Sequence, residues 1–508
     1  MIFLNKAEAE NTNLSGESWV ELLNLDTVGD YGGGTYYPVA SEPSHLGKFQ
    51  SADGTWWELV TSEPNISQFG ARSHTSDMYA NDNTLALKSA LQYCKDKEVY
   101  QLKAFGGTYA INDTIIIPSG VTLRGQGNTD VEDNNSRGTK FRTYAASRPA
   151  GGLWTDVDGN DPTDYAPFFV LGGSEAQLVD LTIENNTGGT AAKWDCGIFL
   201  PCVQRCRIIN VDVRGKFLDA GIRVDATWSS LNTTLMSAQP DVTPAIGMND
   251  LHVEDCRIIA GRWAIKYKGT DRAGSTDPFV WSPGGVSDHM WINCRISNNA
   301  LDTQTSLVDS GCLHIDLRGE GNYIGQGQYF TRCHFRSQGI YMVYLDKARR
   351  VQFTDCYGEA TSGWYNSVGQ VKTKIYSTAN TSHVYHQGDS MFNNSVENDW
   401  NGAGNQTVIE YDGTGVSSIG NVIKTTATID FPSLAPHSHS WGTGDITMIG
   451  AEVGDIVDVE FNGLVGNNLL DLKAYVKSAD TVRIVMINNS DTQTLDPASR
   501  DFNLRIIK

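Results

Sequence analysis

Between residues 178 and 359 the chain repeats one short phrase: apolar positions alternating around a polar one, then a small inward residue, then a second strand-like pair. It reads Leu178-Val179-Asp180-Leu181-Thr182-Ile183 and Ile208-Ile209-Asn210-Val211-Asp212-Val213. It returns as Leu251-His252-Val253-Glu254-Asp255-Cys256, Met290-Trp291-Ile292-Asn293-Cys294, Gln328-Tyr329-Phe330-Thr331-Arg332-Cys333 and Val351-Gln352-Phe353-Thr354-Asp355-Cys356. Superposing the copies stacks one inward file: Leu181, Val211, Cys256, Cys294, Cys333 and Cys356. Alternation with period two predicts strands. Its return at intervals of roughly 20–50 residues predicts a solenoid, because each unit buries its apolar face only against the next. Cys333 and Cys356 are 23 residues apart, room for three short strands with turns. The phrase therefore predicts a parallel β-helix whose longer coils carry inserted loops.

The flanks carry other patterns. Residues 1–64 are polar, rich in Gly, Trp and Tyr, and read as a small β-structured lead-in or attachment region. In residues 66–126, Ile66 to Ala71 gives a short strand and a Gly turn. Leu87, Ala90 and Leu91 have helical spacing, with Asn83 or Thr84 as the N-cap. A helix there would cover the open end of a solenoid, which otherwise exposes strand edges and apolar side chains. The polar stretch 128–170 interrupts the repeat; Asp156-Val157-Asp158-Gly159-Asn160-Asp161 reads as a solvated turn, its Gly too early for an EF-hand loop. Residues 361–424 read as the last coils and a linker. Gly388-Asp389-Ser390 there matches one esterase nucleophile block, but no suitable Asp-x-x-His follows. Residues 425–508 are short alternating strands at near-regular spacing, which predicts a β-sandwich. The expected division is 1–64, 65–424 and 425–508.

Composition narrows the class. With 51 Gly and 19% charged residues in 508, the chain suits a β- and turn-rich protein. A formal net charge of −20 argues against nucleic acid as partner and against broad attraction to anionic membranes. No apolar run approaches the roughly 18 residues of a membrane span, so no membrane insertion is expected. No signal peptide is read at the N-terminus, whereas a free secreted enzyme would be expected to carry one. The nine cysteines include four on the inward file and show neither CxxC nor zinc-ligand spacing. Buried free thiols are expected, with no metal and no cofactor.

Several of these segments carry a family resemblance. Phe69-Gly70-Ala71, then Asp82-Asn83-Thr84 before the helix, then Gly107-Thr108-Tyr109, then a strand ending Gly125-Gln126-Gly127, resembles the pectate-lyase-like β-helix lead of bacteriophage tailspikes and capsule depolymerases. The family's middle element is Asp-Asp-Thr, so Asn83 is a departure, as is Phe105-Gly106-Gly107 where Pro-x-Gly is usual. Ala474-Tyr475-Val476, Thr481-Val482, Leu495-Asp496-Pro497-Ala498 and the ending Leu504 to Lys508 resemble the terminal domain of tailspikes. The resemblance implies an all-β chain: a right-handed parallel β-helix with a short N-terminal capping helix and a C-terminal β-sandwich. It implies a homotrimer joined to the phage tail through its N-terminus, located in the virion and acting on a bacterial surface polysaccharide. The sandwich alone fits a carbohydrate-binding module equally well.

Candidate chemistry follows from the solenoid geometry, since every second strand residue faces outward. Aligning Ile222 to Asp225, Ile265 to Lys268, Leu313 to Arg318 and Ile340 to Val343 predicts one outward file of Arg223, Lys266, His314 and Tyr341. Its neighbour is Asp225, Lys268, Asp316 and Val343, with Arg318 extending the wall. Inserts at 226–249, 269–288 and 297–311 would wall a groove for an extended polymer. Trp228, Trp263 and Trp281 lie in or beside them and could stack on sugar rings. Asp225 and Asp316 fall two rungs apart, about 9–10 Å between backbones. That suits the roughly 6.5–9.5 Å carboxyl separation of inverting glycosidases, where one carboxyl protonates the leaving oxygen and the other activates water. Lys268 between them favours ionised carboxylates, whereas the acid needs a raised pKa, so an ion ladder is the plain alternative. Glu320, Asp219, Asp309 and Asp346 are reserve carboxylates. The same wall offers Arg223, Lys266, His314, Arg318 and Tyr341 for β-elimination on a uronate. A non-catalytic receptor-binding fibre is the reading from another class.

Overall fold

The computed structural model describes residues 1–73, 82–127, 138–143, 165–185, 194–201, 203–225, 242–243, 248–268, 286–298, 310–316, 326–337, 341–346, 348–360, 373–377, 382–387, 408–410, 422–440, 445–448, 451–461, 470–488, 490, 492–494 and 500–507. Two compact units make up the chain: Met1–Ser377 with Asp389–Asn401, and Thr378–Gly388 with Gly402–Lys508.

The first unit is built on a parallel β-helix, wound in the right-handed sense that parallel crossovers take. Its first wall stacks eight strands in chain order: Ile115–Ile117, Pro167–Leu171, Cys196–Pro201, Ala220–Asp225, Trp263–Lys268, Gly311–Asp316, Tyr341–Asp346 and Thr373–Ser377. The second wall includes His252–Glu254, Val286–Ile292, Gln326–Thr331 and Arg349–Thr354. The third includes Arg257–Ala260, Arg295–Ser297, His334–Ser337 and Tyr357–Ala360. In two earlier coils, Gln177–Asn185 and Arg207–Gly215 run unbroken through the corner that later separates the second and third walls.

That corner explains the repeated phrase. At this corner six coils each place a residue in the left-handed region: Asp180, Asn210, Asp255, Asn293, Arg332 and Asp355, with φ between 51° and 58°. A single left-handed residue turns the chain between two strands, and Asn and Asp tolerate that conformation best. Their side chains also bond from coil to coil: Asn210 Nδ2 donates to Asp180 Oδ1 at 2.8 Å and Asn293 Nδ2 to Asp255 Oδ1 at 2.6 Å. The next residue turns inward. Pairing places Leu181 beside Val211, and the strands beginning at Arg257, Arg295, His334 and Tyr357 stack in register just after Cys256, Cys294, Cys333 and Cys356. The expected file is therefore present. Its cysteines are buried and free, their thiols donating to backbone carbonyls such as Ile208 O at 3.3 Å and Phe330 O at 3.2 Å. Burial pushes the Cys256 and Cys333 thiols well above the ordinary thiol range.

The end of the solenoid carries helix Thr84–Asp96, which buries Leu87, Ala90 and Leu91. Asn83 occupies the cap position, yet its side chain makes no capping bond; its Oδ1 accepts from the Arg72 N–H at 2.7 Å. Asp82 Oδ1 instead accepts from the Thr84 N–H at 2.9 Å. Residues 2–59 form a five-stranded sheet around Tyr36, Phe49 and Trp57. In the second unit, Val422–Ile429, Arg500–Ile507 and Ile456–Phe461 pair antiparallel. Leu470–Ser478 and Thr481–Asn488 form a second antiparallel sheet. Ile429, Phe431, Val482, Ile484, Phe502 and Leu504 fill the core between them, making a β-sandwich.

One core layer of the solenoid is polar. The Tyr267 hydroxyl donates to His289 Nδ1 at 3.1 Å and accepts from Trp291 Nε1 at 2.8 Å. His289 Nε2 lies 3.0 Å from the Met248 carbonyl and donates to it. The ring is held neutral, and burial pulls its pKa down to about 4.

Candidate active site on the first wall

Register fixes two charged files on the first wall. One runs Phe199, Arg223, Lys266, His314, Tyr344, Tyr376; the other runs Pro201, Asp225, Lys268, Asp316, Asp346. Ile222, Ile265, Leu313 and Val343 alternate with them and are buried in the core. Arg223, Asp225, Lys266, Lys268, His314 and Asp316 thus stand in the expected columns.

Tyr341 does not. It pairs with Gly311, whereas Tyr344 occupies the rung beside His314 and Asp346 the rung beside Asp316. Val343 is an inward residue. The slip has a physical origin: Ile340, Met342, Val343 and Leu345 are apolar at both parities, so alternation fits two registers that differ in face. The backbone resolves it at Gly311. A Cβ there would sit 2.7 Å from the Trp263 ring and 2.3 Å from the Tyr341 carbonyl. Trp263 and Tyr341 meet across this position, rings stacked at 6.2 Å and 10°.

Trp263 is 1% exposed, enclosed by His314 at 4.7 Å and by Tyr341 and Tyr344. It packs the wall and offers no open ring face to a sugar, contrary to expectation. The half-buried rings of Tyr341 and Tyr344, 5.0 Å apart, stand at that edge instead. Trp228, Trp281, Arg318, Glu320 and Asp309 lie outside the described residues, as do most of the expected inserts.

The files are also less open than a flat outer wall suggests. Arg223 and Asp225 are 2% and 1% exposed, and Lys268, His314 and Asp316 are buried too. Arg223 is enclosed on every side. Its Nε and terminal nitrogen reach Asp225 Oδ2 at 3.1 and 2.6 Å, and the other nitrogen reaches Asp219 Oδ2 at 3.3 Å. Its plane lies 4.4 Å from the Tyr165 ring centre. Asp219 joins three partners, accepting also from Lys266 Nζ at 2.7 Å and the Tyr165 hydroxyl at 3.1 Å. Burial lifts the Tyr165 hydroxyl well above its ordinary pKa, so it stays a donor. Buried charges persist only when paired and hydrogen-bonded, and this cluster meets that condition. Sequence reasoning held Asp219 only in reserve and missed Tyr165, which sits in the stretch read as polar loop, 54 residues from Asp219.

Chemically, the wall gathers carboxylates, cations, an imidazole and tyrosines within a few rungs of about 4.8 Å each. Among the described residues, no group of three or more His, Cys, Asp or Glu is placed to hold a metal ion.

No family model matches the chain, and no curated protein does. Among solved structures, it is similar to the tailspike gp49 of Acinetobacter baumannii bacteriophage Fri1, a capsular polysaccharide depolymerase. That match has 12% identity over 98% of this chain and 96% of that one, with a TM-score of 0.45. It is similar to the enzymatically active domain of bacteriophage CBA120 tailspike protein 2, at 12% identity over 100% and 86%, TM-score 0.48. It is similar to Pantoea stewartii WceF, a glycan biofilm modifying enzyme with a tailspike-like parallel β-helix, at 13% identity over 99% and 71%, TM-score 0.38. At these values the likeness decides neither substrate nor site, and the chain's own strand pairing is what makes it a parallel β-helix.

Proposed function

We propose that this protein cleaves a bacterial surface polysaccharide, capsular or O-antigen, by glycoside hydrolysis on the first wall. The observation that carries the reading is the register Asp225–Lys268–Asp316. It sets two carboxyl-bearing residues two rungs apart, about 9–10 Å between backbones. Side chains leaning toward each other would bring the carboxyls into the roughly 6.5–9.5 Å range that leaves room for a water. Asp225, held as an acceptor by Arg223, takes the proton of the attacking water. Asp316 gives its proton to the departing glycosidic oxygen, and the two exchange protons with solvent after turnover. Lys268 and Lys266 bind the polymer, and Tyr341 and Tyr344 lie beside it.

A second chemistry is favoured by the other file. Arg223, Lys266, His314 and Tyr344 stand in register, and β-elimination needs cations for a uronate carboxylate and a base for its neighbouring proton. In the same reading the chain is a homotrimeric tailspike of the virion. Residues 1–64 attach it to the tail, 65–424 carry the cleaving solenoid, and 425–508 serve trimerisation or carbohydrate binding.

Product analysis tests the proposal. The full chain is incubated with a panel of capsular polysaccharides and O-antigens. New reducing ends without an unsaturated chromophore support hydrolysis, and reducing ends with that chromophore support elimination. Binding to encapsulated cells with no new ends would replace both with a receptor-binding fibre.

A further inference from the structure

The third wall carries a charged file of a different kind. Register stacks Arg257, Arg295, His334 and Tyr357 on four successive rungs. Arg336 follows His334 two residues on, at the next outward position of its strand. The three strands that begin this face read RIIA, RIS and HFRS, and none contains an acid. Asp212, on the rung before Arg257, is buried beneath Arg257 and Arg214, with Arg257 nitrogens at 2.8 and 3.1 Å from its Oδ2. The Glu359 position follows Arg336 one rung on.

Like charges directly opposite on neighbouring strands destabilise a sheet. Arg257 and Arg295 stand directly opposite; Asp212 offsets the charge of Arg257 and Arg295 adds a second cation, in a chain whose net charge is −20. Arg295 is exposed. Tyr357 is 40% exposed and its ring lies 5.0 Å from that of His334. Guanidinium groups recognise carboxylates through planar paired donors, and an open tyrosine face suits a sugar ring. Screening confines each charge to about 8 Å at physiological salt, so this cationic strip acts locally whatever the sign of the whole chain.

We propose that the third wall is a binding strip for carboxylate-bearing polysaccharide, distinct from the first-wall file. Arg295 would meet a carboxylate of an extended polymer, and Tyr357, two rungs along, a sugar face. The inference concerns binding and stands whichever cleavage chemistry operates.

The test uses the full chain, with polygalacturonate as the acidic probe and dextran as the neutral one, by equilibrium binding. Polygalacturonate should bind, dextran should not, and binding should be lost near 1 M salt, where the screening length is about 3 Å. Arg295→Glu should weaken polygalacturonate binding about tenfold or more, while Arg295→Lys should keep most of it. Circular dichroism confirms that both variants fold. No polygalacturonate binding at low salt, or equal binding by Arg295→Glu, would overturn the proposal. So would Arg295→Glu changing the oligomeric mass without changing binding, which would assign the strip to contact between subunits.

Discussion

The first and third walls of one solenoid both carry ionisable files, but their surroundings differ. On the first wall, Arg223 and Asp225 are almost wholly enclosed, and Asp219 ties Arg223, Lys266 and Tyr165 together. On the third, Arg295 and Tyr357 are exposed, and cations follow one another with no acid in their strands. The first arrangement holds groups in fixed geometry, as bond-making chemistry requires. The second offers charge at a surface, which suits retention of a polymer. The strand geometry is the same in both, so the packing over each file is what distinguishes them.

The contrast can be broken at several points, the largest effect first. Asp316→Asn should lower cleavage by about 10²-fold or more, the scale of a lost general acid, with the oligomer unchanged by light scattering. Near-wild-type turnover would remove Asp316 from the chemistry. Arg223→Met should cost about 3–5 kcal/mol, because it removes the guanidinium that pairs with the buried Asp225 carboxylate; denaturant unfolding of the intact chain reads this. An unchanged midpoint would mean that the first-wall cluster opens to water.

A pH effect should come from His289. Its folded pKa, about 4, lies below the ordinary value near 6.5. The unfolded chain therefore binds the extra proton first as pH falls. The stabilising contribution is complete above pH 6.5 and is lost between there and pH 4, roughly 3 kcal/mol in all. His289→Gln should flatten this part of the stability profile, and a profile as steep as wild type would contradict it. At the corner file, Arg332 is neither Asn nor Asp although φ is 52°. Arg332→Asn should stabilise by about 1 kcal/mol, read as a raised thermal midpoint; a lowered one would show that Arg332 contributes more than its backbone costs. Last, Arg295→Gln should change stability by less than about 0.5 kcal/mol, against the large loss at Arg223. A comparable loss would place Arg295 in a buried network and erase the distinction between the walls.

How far the sequence could be read follows the same physics. The file Leu181, Val211, Cys256, Cys294, Cys333, Cys356 was legible because apolar residues recur at one place beside a corner that favours Asn or Asp, with Arg332 the exception. Asp225, Lys268 and Asp316 were legible because Val224, Tyr267 and Ile315 fix their parity. Tyr341 was misplaced where apolar residues occupy both parities, and only the Trp263–Gly311–Tyr341 stack decides between them. Tyr165 gave no local signal, since its partners Asp219 and Arg223 are brought near only by coiling. The burial of the first-wall charges was invisible for the same reason: alternation says which way a side chain points, not what covers it.

The most direct measurement is a crystal structure of Asp316→Asn with a bound oligosaccharide from the cognate polymer. A glycosidic oxygen should lie beside residue 316, with the sugar chain running along Lys268 and Tyr344. Sugar density confined to the Arg295–Tyr357 strip, or to any surface away from the first wall, would contradict it.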